Sequence, residues 1–229
     1  MQLVEMQNLV NYQRRESTES FISNDEITAY LNEANRKITR EYEFESNKVS
    51  TTFTYTDGSI RYALSAIAAD LDEPINFFYS SSQYFTPASP QQFMQLSSYN
   101  NDMYAIDGSY LLLKTSFGTG IISFNYYTTN TAKTSGGSLI EKLSSSTDEP
   151  LMPELNQDTL VDFALFKCFK KEGMADDAAS SFDEYKTGLK SMKTKTPSRK
   201  VHYQKVMRSP RKLTSGYSQA TKNDVLNNY

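Results

Sequence analysis

The residue types that most often carry out chemistry are scarce in this chain and poorly placed for it. Its one histidine, His202, lies between Val201 and Tyr203 in a basic C-terminal stretch. Its one cysteine, Cys168, falls on the apolar side of a predicted helix, where a small buried side chain is expected rather than a nucleophile. A serine–histidine or cysteine–histidine pair is therefore not expected. A single thiol also rules out an internal disulfide and a multi-thiolate metal site.

Acidic residues beside prolines are the remaining candidates for catalysis. They are Asp70, Asp72 and Glu73, followed by Pro74, and Asp148 and Glu149, followed by Pro150. A small hydrolase would need one carboxyl group with a raised pKa and another with a lowered pKa, and the sequence shows no neighbours that would separate them. The Ser135–Ser138 stretch contains two glycines but lacks the lysine of a phosphate-binding loop. We predict no catalytic residue, no cofactor and no metal, and keep a small hydrolase as the weakest alternative.

A basic C-terminal arm is the strongest functional feature of the sequence. From Lys193 onward nine basic residues stand against one acid, a net charge of +8, which leaves −11 for the preceding residues out of the total of −3. The helical spacing of apolar residues ends after Met192, so the arm needs a partner to become ordered. Its spaced hydrophobic residues favour docking over a merely solubilising role. The residues predicted to bind a partner are Arg199, Lys200, Val201, Tyr203, Val206, Arg208, Arg211, Lys212, Leu213 and Tyr217.

A nucleic-acid-binding module is the main alternative for this arm. Tyr203, Tyr217 and Tyr229 could stack on bases while the basic residues cover phosphates. The acidic body would, however, repel a duplex that came close. We therefore rank protein docking above nucleic-acid binding, and a plain solvated terminus remains open as well.

The amino-acid composition limits the classes of protein to which this chain can belong. The 229 residues are 38% hydrophobic and 13% aromatic, with 16 Tyr, 13 Phe and no Trp. Tyrosine-rich, hydroxyl-rich surfaces suit broad polar contacts between proteins, although an ordinary β-rich fold is an equally good explanation. No run of about 18 apolar residues is present, and the first residues lack the features of a signal peptide. We expect a soluble protein in a reducing compartment.

Helices are predicted at both ends of the folded body. Leu3, Met6 and Val10 have helical spacing, and Ser23 with Glu26 forms a capping box that begins a second helix. On that helix we expect the polar residues mostly on the solvent side; they are Asn32, Glu33, Asn35, Arg36, Lys37 and Arg40. A third helix ends at Gly173, and a fourth carries Ala178, Phe182, Tyr185, Leu189 and Met192 on one face.

The middle of the chain changes to the alternation of strands. Val49–Tyr55 and Ile60–Leu64 flank an Asp57-Gly58 turn and predict one hairpin, and Met103–Leu113, with Asp107-Gly108, predicts another. A strand near Pro74–Tyr79, a short helix beginning at Pro90 and a strand over Gly120–Tyr127 complete a small antiparallel domain, with the short strands of a sandwich or barrel.

These elements predict an α+β fold: a four-helix bundle with an inserted small antiparallel β domain and an extended C-terminal arm. The predicted parts are N-terminal helices over 1–46, the β domain over 47–128, a polar linker over 129–156, a helical hairpin over 157–193 and the arm over 194–229.

This order of parts resembles the head-to-tail adaptor proteins of tailed bacteriophages, also called head-completion, connector-ring or gatekeeper proteins. The resemblance covers residues 1–193. It is carried by the capped helix Asp25–Ile38, the segments Thr51–Leu64, Tyr104–Leu113 and Phe124–Tyr127, and the helical segments Pro150–Lys170 and Gly173–Met192.

The resemblance implies a structural virion protein without an active site. Such proteins form a ring, here expected to hold 12 copies, between the portal protein and the tail hub or tubular tail protein. DNA passes through the ring without sequence-specific binding, and no membrane is involved. The expected location is the portal–tail junction of the virion, with assembly in the host cytoplasm. In that family the C-terminal arm extends along neighbouring subunits or into portal clefts.

Overall fold

The computed structural model describes residues 1–14, 21–80, 83–95, 102–115 and 118–196. They form an α+β protein whose chain divides into two units. The described part of the helical unit comprises Met1–Ser50, Asp70–Ile75 and residues 125–196. The β unit comprises Thr51–Ala69 and Asn76–Phe124. The chain therefore leaves the helical unit and returns to it twice.

Six α-helices occur among the described residues. They are α1 (Leu3–Gln13), α2 (Asn24–Glu41), α3 (Leu64–Ile67), α4 (Pro90–Gln95), α5 (Asp158–Glu172) and α6 (Ala175–Lys195). Single 3-10 turns cover Glu45–Asn47 and Glu154–Asn156. The predicted start of α2 is confirmed, because the Ser23 side chain accepts a hydrogen bond from the Glu26 amide at 3.3 Å and Glu26 accepts one from the Ser23 amide.

Helix α5 lies at the centre of the helical unit and contacts α1, α2 and α6. Gly173 ends it with φ of +79°, a left-handed conformation that suits glycine, and α6 then runs back along it. The shared core includes Leu31 and Ile38 of α2, Leu160 and Ala164 of α5, and Met192 of α6. Cys168 is buried there, as predicted.

Eleven strands occur among the described residues. They are β1 (Lys48–Tyr55), β2 (Arg61–Ala63), β3 (Leu71–Ser80), β4 (Gln83–Tyr84), β5 (Thr86–Pro87), β6 (Met103–Asp107), β7 (Tyr110–Lys114), β8 (Gly120–Thr128), β9 (Ala132–Lys133), β10 (Leu139–Ile140) and β11 (Glu149–Pro150). They make three sheets, with strand orders β1-β8-β3-β4, β2-β7-β6-β5 and β10-β9-β11.

One predicted hairpin is confirmed and the other is wrong. Strands β6 and β7 pair antiparallel around Gly108, which has φ of +58°. Strands β1 and β2 do not pair with each other: β1 joins β8, and β2 joins β7. The turn at Gly58 exists, but the strands before and after it belong to different sheets, because each pairs with a strand from a distant part of the chain. Leu64, predicted to end the second strand, begins α3.

Residues 129–156, predicted to be a polar linker, contain β9, β10 and β11 and belong to the helical unit. Asn32 on α2 binds both backbone groups of Leu143, each at 2.9 Å, and the Asn35 amide donates to the Thr131 carbonyl at 2.9 Å. The predicted solvent exposure of these two asparagines is therefore wrong: Asn32 is 8% exposed and Asn35 is fully buried. Each replaces the water that the backbone of this segment would otherwise bind.

Candidate interaction surfaces

The residues predicted to dock a partner, from Arg199 to Tyr217, lie outside the described residues. The structure does show how the chain reaches them. Helix α6 continues through Lys195, so Thr194 and Lys195 belong to the helix and not to the arm. Thr196 then takes the extended conformation, with φ of −125° and ψ of 125°. Helix α6 therefore extends two residues further than predicted.

Several charged side chains on the helical unit form ion pairs with one another. Lys171 on α5 contacts Glu26 on α2 at 2.5 Å, and Lys167 contacts Glu33 at 3.1 Å. These contacts lower the pKa of Glu26, chiefly through the Lys171 hydrogen bond, and hydrogen bonds from Lys37 and Lys167 lower the pKa of Glu33 despite partial burial. The residues of this unit, Met1–Ser50, Asp70–Ile75 and Asn125–Arg199, hold 23 acidic and 16 basic residues. The unit therefore presents a net negative charge.

The end of the helical unit near the α5–α6 turn combines a buried ion pair with exposed apolar side chains. Arg14, just after α1, pairs with Glu172 at the end of α5. The Lys171 ammonium lies 5.1 Å from the ring centre of Phe21, which is 70% exposed. Met174, in the turn, is also exposed. This end of the unit is a candidate contact surface.

The β unit has a different surface chemistry. Only five of its residues are charged, namely Asp57, Arg61, Asp102, Asp107 and Lys114. Exposed large apolar or aromatic side chains of its described residues are Ile60, Tyr79, Tyr84, Met94, Tyr110 and Ile121. The Arg61 guanidinium lies 3.9 Å from the ring centre of Tyr110, a close cation–π contact. A surface with so little charge is suited to contact through shape and aromatic packing rather than through electrostatic steering.

Strands β1 and β8 show the two sides of one sheet most clearly. On one side, Phe124 lies 6.0 Å from Phe53 and 5.1 Å from Phe77, between ring centres. On the other side, Thr52 and Ile121 are exposed. Because alternate residues of a strand point to opposite sides, this sheet has one packed side and one open side.

The acids considered for catalysis have structural partners. The Asp70 carboxylate accepts hydrogen bonds from Tyr126 and Thr128, both at 2.7 Å, and from the Asn130 amide at 3.0 Å. Partial burial opposes its charged form, but the hydrogen bonds from Thr128, Tyr126 and Asn130 outweigh it and lower the pKa of Asp70. A carboxylate held in this way is a poor proton donor or acceptor at neutral pH.

Asp148 is held in a similar way. Burial opposes its charge, while the backbone amides of Ser145 and Ser144, at 2.6 and 2.8 Å, outweigh that effect and lower its pKa. The sequence alone could not show that Asp70 and Asp148 accept these hydrogen bonds, because the donor groups come within reach of the carboxylates only in the folded chain. Neither acid shows the raised pKa that the hydrolase alternative needs from one member of a pair.

Asp162 on α5 is the acid with a clearly raised pKa. Burial, and then the negative charges of Glu184 and Asp158, raise the pKa of Asp162 to about 6. This group was not singled out from the sequence, where it appears as one polar position within an apolar helix. In the described part of the chain, no group of three or more histidine, cysteine or acidic side chains could hold a metal ion. Nor does any helix described here have the length and apolar character to cross a membrane.

These observations define a class: an α+β protein with an acidic helical unit, a nearly uncharged β unit and a basic C-terminal sequence. Comparison with protein families makes the class specific. The chain belongs to the SU10 adaptor protein family, whose model matches residues 2–210. It is thus a phage head-tail adaptor, and the resemblance stated from the sequence is confirmed. A comparison with curated proteins found no match.

Membership of this family defines the role in general terms. It makes the chain a structural component of a virion and points away from enzymatic activity. It also implies interaction with portal and tail proteins in general. The matched range includes part of the basic arm, up to residue 210, so the arm is not an addition foreign to the family.

Proposed function

We propose that this protein assembles into a ring of 12 copies between the portal and the tail, completing the channel through which the phage genome passes. The observation that carries the proposal is the family match over residues 2–210. A closed ring of identical chains needs two different surfaces on each copy, one that meets the preceding copy and one that meets the next. The helical and β units, with their different surface chemistry, supply two such surfaces.

In this proposal α1, α2, α5 and α6 act as a four-helix bundle that forms the rigid part of each ring subunit. Their common core around Leu31, Leu160 and Ala164 supports this role, because a stable element is needed to hold interfaces in place. The net negative charge of the helical unit suits a channel for DNA, since an acidic wall does not retain a polyanion that must slide past it. DNA would pass without sequence-specific recognition.

The basic arm is proposed to dock on a neighbouring protein. Residues 200–229 hold six basic residues and one acid, whereas the helical unit of each copy is acidic. An arm that becomes ordered on docking can cover a large surface, and its cationic groups favour acidic grooves. Its partner is proposed to be the portal protein, an adjacent ring subunit or the tail protein. Arg199–Tyr217 remain the predicted contact residues.

Electron microscopy of the full chain mixed with its portal protein tests the ring. We expect rings on the portal, and a chain that binds only as scattered monomers would refute the proposal. A chain that ends at Thr196 tests the arm, because this truncation keeps the whole of α6, including the buried Met192. Circular dichroism should show that its fold is kept, while portal docking is lost. Normal docking of the folded truncated chain would contradict the role given to the arm.

Charge substitutions within the arm separate a specific contact from general basicity. Arg208→Gln, Arg211→Gln and Lys212→Gln, made together, remove charges from the predicted contact segment. The matched control, Lys222→Gln, removes charge outside that segment. We expect the triple variant to raise the dissociation constant for docking. The logarithm of this increase should be more than three times the logarithm of the increase caused by Lys222→Gln.

The same preparation tests the nucleic-acid alternative. A nucleic-acid-binding module would bind DNA tightly at about 50 mM salt, with affinity falling steeply as salt rises. We expect no such binding by the free chain. Tight, salt-sensitive binding that is abolished by removing residues 197–229 would replace our proposal with the alternative.

A further inference from the structure

The hairpin formed by α5 and α6 has two sides that carry different side chains. On α6, Phe182 and Lys186 are four residues apart and lie on the same side of the helix. Glu184 is two residues from each of them, so it lies roughly 200° around the helix, on the other side. Phe182 contacts Phe166 of α5, with 4.7 Å between ring centres. We call the side with these two rings the basic side of the hairpin and the side with Glu184 its acidic side.

Lysine side chains surround the aromatic rings on the basic side. The Lys186 ammonium lies 4.3 Å from the ring centre of Phe182, and the Lys170 ammonium lies 5.8 Å from that of Phe166. Both rings are only half-buried, so part of each faces solvent. Two further lysines lie over the neighbouring ring of Phe163, namely Lys37 at 5.0 Å and Lys167 at 5.1 Å from its centre.

The basic side has more cations than acids. Two acids, Glu33 and Asp183, pair with three of these four lysines. Lys170 forms no ion pair with any residue that the structure describes. This surplus of positive charge occurs on a unit whose overall charge is negative. A half-open aromatic patch with such a surplus suits a partner that presents acidic groups beside an apolar side chain.

The acidic side lacks compensating cations. Burial, and then the negative charges of Glu184 and Asp158, raise the pKa of Asp162, so the three acids lie close together. Among the residues described here, none forms an ion pair with any of these three. On α5, Asp162 and Lys167 are five residues apart and lie roughly 140° apart around the helix. Leu155, three residues before Asp158, is 77% exposed. The acidic side therefore combines like charges with an exposed apolar side chain near its end.

We propose that the basic side of one copy binds the acidic side of the next copy in the ring. In this contact the exposed acids Asp158 and Glu184 of the next copy pair with lysines of the basic side. Lys170 and Lys186 receive them, because these lysines flank the two half-buried rings. Leu155 of the next copy adds an apolar contact. The inference rests on the ring proposed above and specifies which surfaces of the helical units meet.

A second copy of this chain is the partner that the charges favour. The two sides are opposite in charge and lie on different sides of one hairpin, so each copy can bind one neighbour through each side. Head-to-tail contacts of this kind continue from copy to copy and close into a ring when the rotation between copies permits. Repulsion between two basic or two acidic sides also disfavours the reverse orientation. A DNA backbone on the basic side would leave the acidic side without a partner.

Charge reversal tests this contact in the full chain mixed with the portal protein. The first variant, Lys170→Glu with Lys186→Glu, makes both sides acidic. The second variant, Asp158→Lys with Glu184→Lys, makes both sides basic. We expect each variant alone to form rings on the portal at least about tenfold less often than the wild type, because like charges then face each other. Lys142→Glu reverses an exposed charge between β10 and β11 and, as the control, should form rings normally.

Mixing the two variants separates loss of the contact from loss of the fold. In an equal mixture, a copy with two acidic sides can stand between two copies with basic sides, so that every contact is attractive. The mixture should therefore recover rings of alternating copies, which the even number in the proposed ring of 12 permits. A chain with all four substitutions should recover rings by itself, because its two sides have exchanged their charges. A misfolded variant cannot produce either recovery.

Two results would overturn the contact and leave the proposed ring in place. One is that either variant alone forms rings as often as the wild type. The other is that the mixture recovers no rings although circular dichroism shows both variants to be folded, which would make the portal or DNA the occupant of the basic side. A wild-type chain that forms no ring would refute the proposed function, and this contact with it.

Carbodiimide cross-linking gives an independent test, because this reagent joins only amino and carboxyl groups that are already in contact. Rings assembled from equal parts of unlabelled and heavy-nitrogen-labelled chain distinguish links between copies from links within one copy. We expect mixed-isotope links from Lys170 or Lys186 to the acidic side, at Asp158 or Glu184. Lys142 should form no such link to these acids. Assembled rings without any mixed link between the two sides would contradict the proposal.

Discussion

The hydroxyl group of Tyr126 donates a hydrogen bond to the carboxylate of Asp70, with Oη and Oδ1 2.7 Å apart. Asp70 precedes β3 and Tyr126 lies in β8, so this bond joins two segments that are far apart in sequence. Burial and the Asp70 contact together raise the pKa of Tyr126. With Thr128 and Asn130, the same carboxylate receives three donors.

Replacing Asp70 with asparagine should destabilise the fold. The new amide group presents hydrogens to donors that need an acceptor, so we expect a loss of roughly 2–3 kcal/mol in the free energy of unfolding. Urea denaturation measures it. Asp57→Asn is the control, because Asp57 is an exposed acid in the turn after β1, and its effect should stay within about 0.5 kcal/mol. Equal effects of the two substitutions would contradict the role given to Asp70.

The lowered pKa of Asp70 also predicts a pH dependence. In the unfolded chain its pKa is about 3.9, and in the folded chain it is lower. The stabilisation is therefore complete above the unfolded value and is lost as pH falls through the folded value. The stability difference between wild type and Asp70→Asn should shrink as the pH is lowered from 7 towards 3. A difference that stays constant over this range would show that ionisation is not its source.

Asn32→Leu should remove the anchor of the β10–β11 connection. Both backbone groups of Leu143 would lose their partner in a buried place, at a cost of roughly 2–3 kcal/mol. Exchange of the Leu143 amide should also accelerate in the variant. Arg36→Leu, on the exposed side of the same helix, provides the control. If Asn32→Leu lowered the free energy of unfolding no more than Arg36→Leu does, the two buried hydrogen bonds to Leu143 would contribute little to stability.

Gly188 allows α5 and α6 to approach closely. A Cβ atom added there would clash with the hydroxyl of Thr159, and it would lie 3.0 Å from the Thr159 methyl group. Gly188→Ala should therefore destabilise by about 1–3 kcal/mol, although alanine favours helices. Thr159→Ala in the same chain should restore part of this loss, which a double-mutant cycle measures. A purely additive cycle would mean that the contact is not responsible.

Asp162→Asn should stabilise the protein at neutral pH. The folded pKa of Asp162, about 6, lies above its unfolded value, so the charged carboxylate lowers stability increasingly as pH rises from about 4 to 6. Since the group is partly open to solvent, we expect a gain of about 1 kcal/mol at pH 7 and little change at pH 4. Thermal unfolding at the two pH values measures it. Asp183→Asn, at an exposed position of α6, is the matched control.

Local signals explain what could be predicted about the helices. The Ser23–Glu26 capping box, the left-handed glycine after α5 and the spacing of Leu3, Met6 and Val10 each act within a few residues. The β6–β7 hairpin was predictable for the same reason, since its turn and its register are set within one stretch of chain. The buried position of Cys168 followed from the apolar face of its helix.

Long-range pairing explains what could not be predicted. The separation of β1 from β2 depended on β8 and β7, which lie more than 40 residues further along the chain. Asn32 and Asn35 look like solvent-facing residues until their backbone partners at Leu143 and Thr131 are known. The sequence by itself determined the helices of the helical unit, the turns, the charge division and the family resemblance, because these depend on neighbouring residues or on totals. Only the tertiary structure decided the strand partners and the structural role of Asp70, because each depends on which distant segments meet.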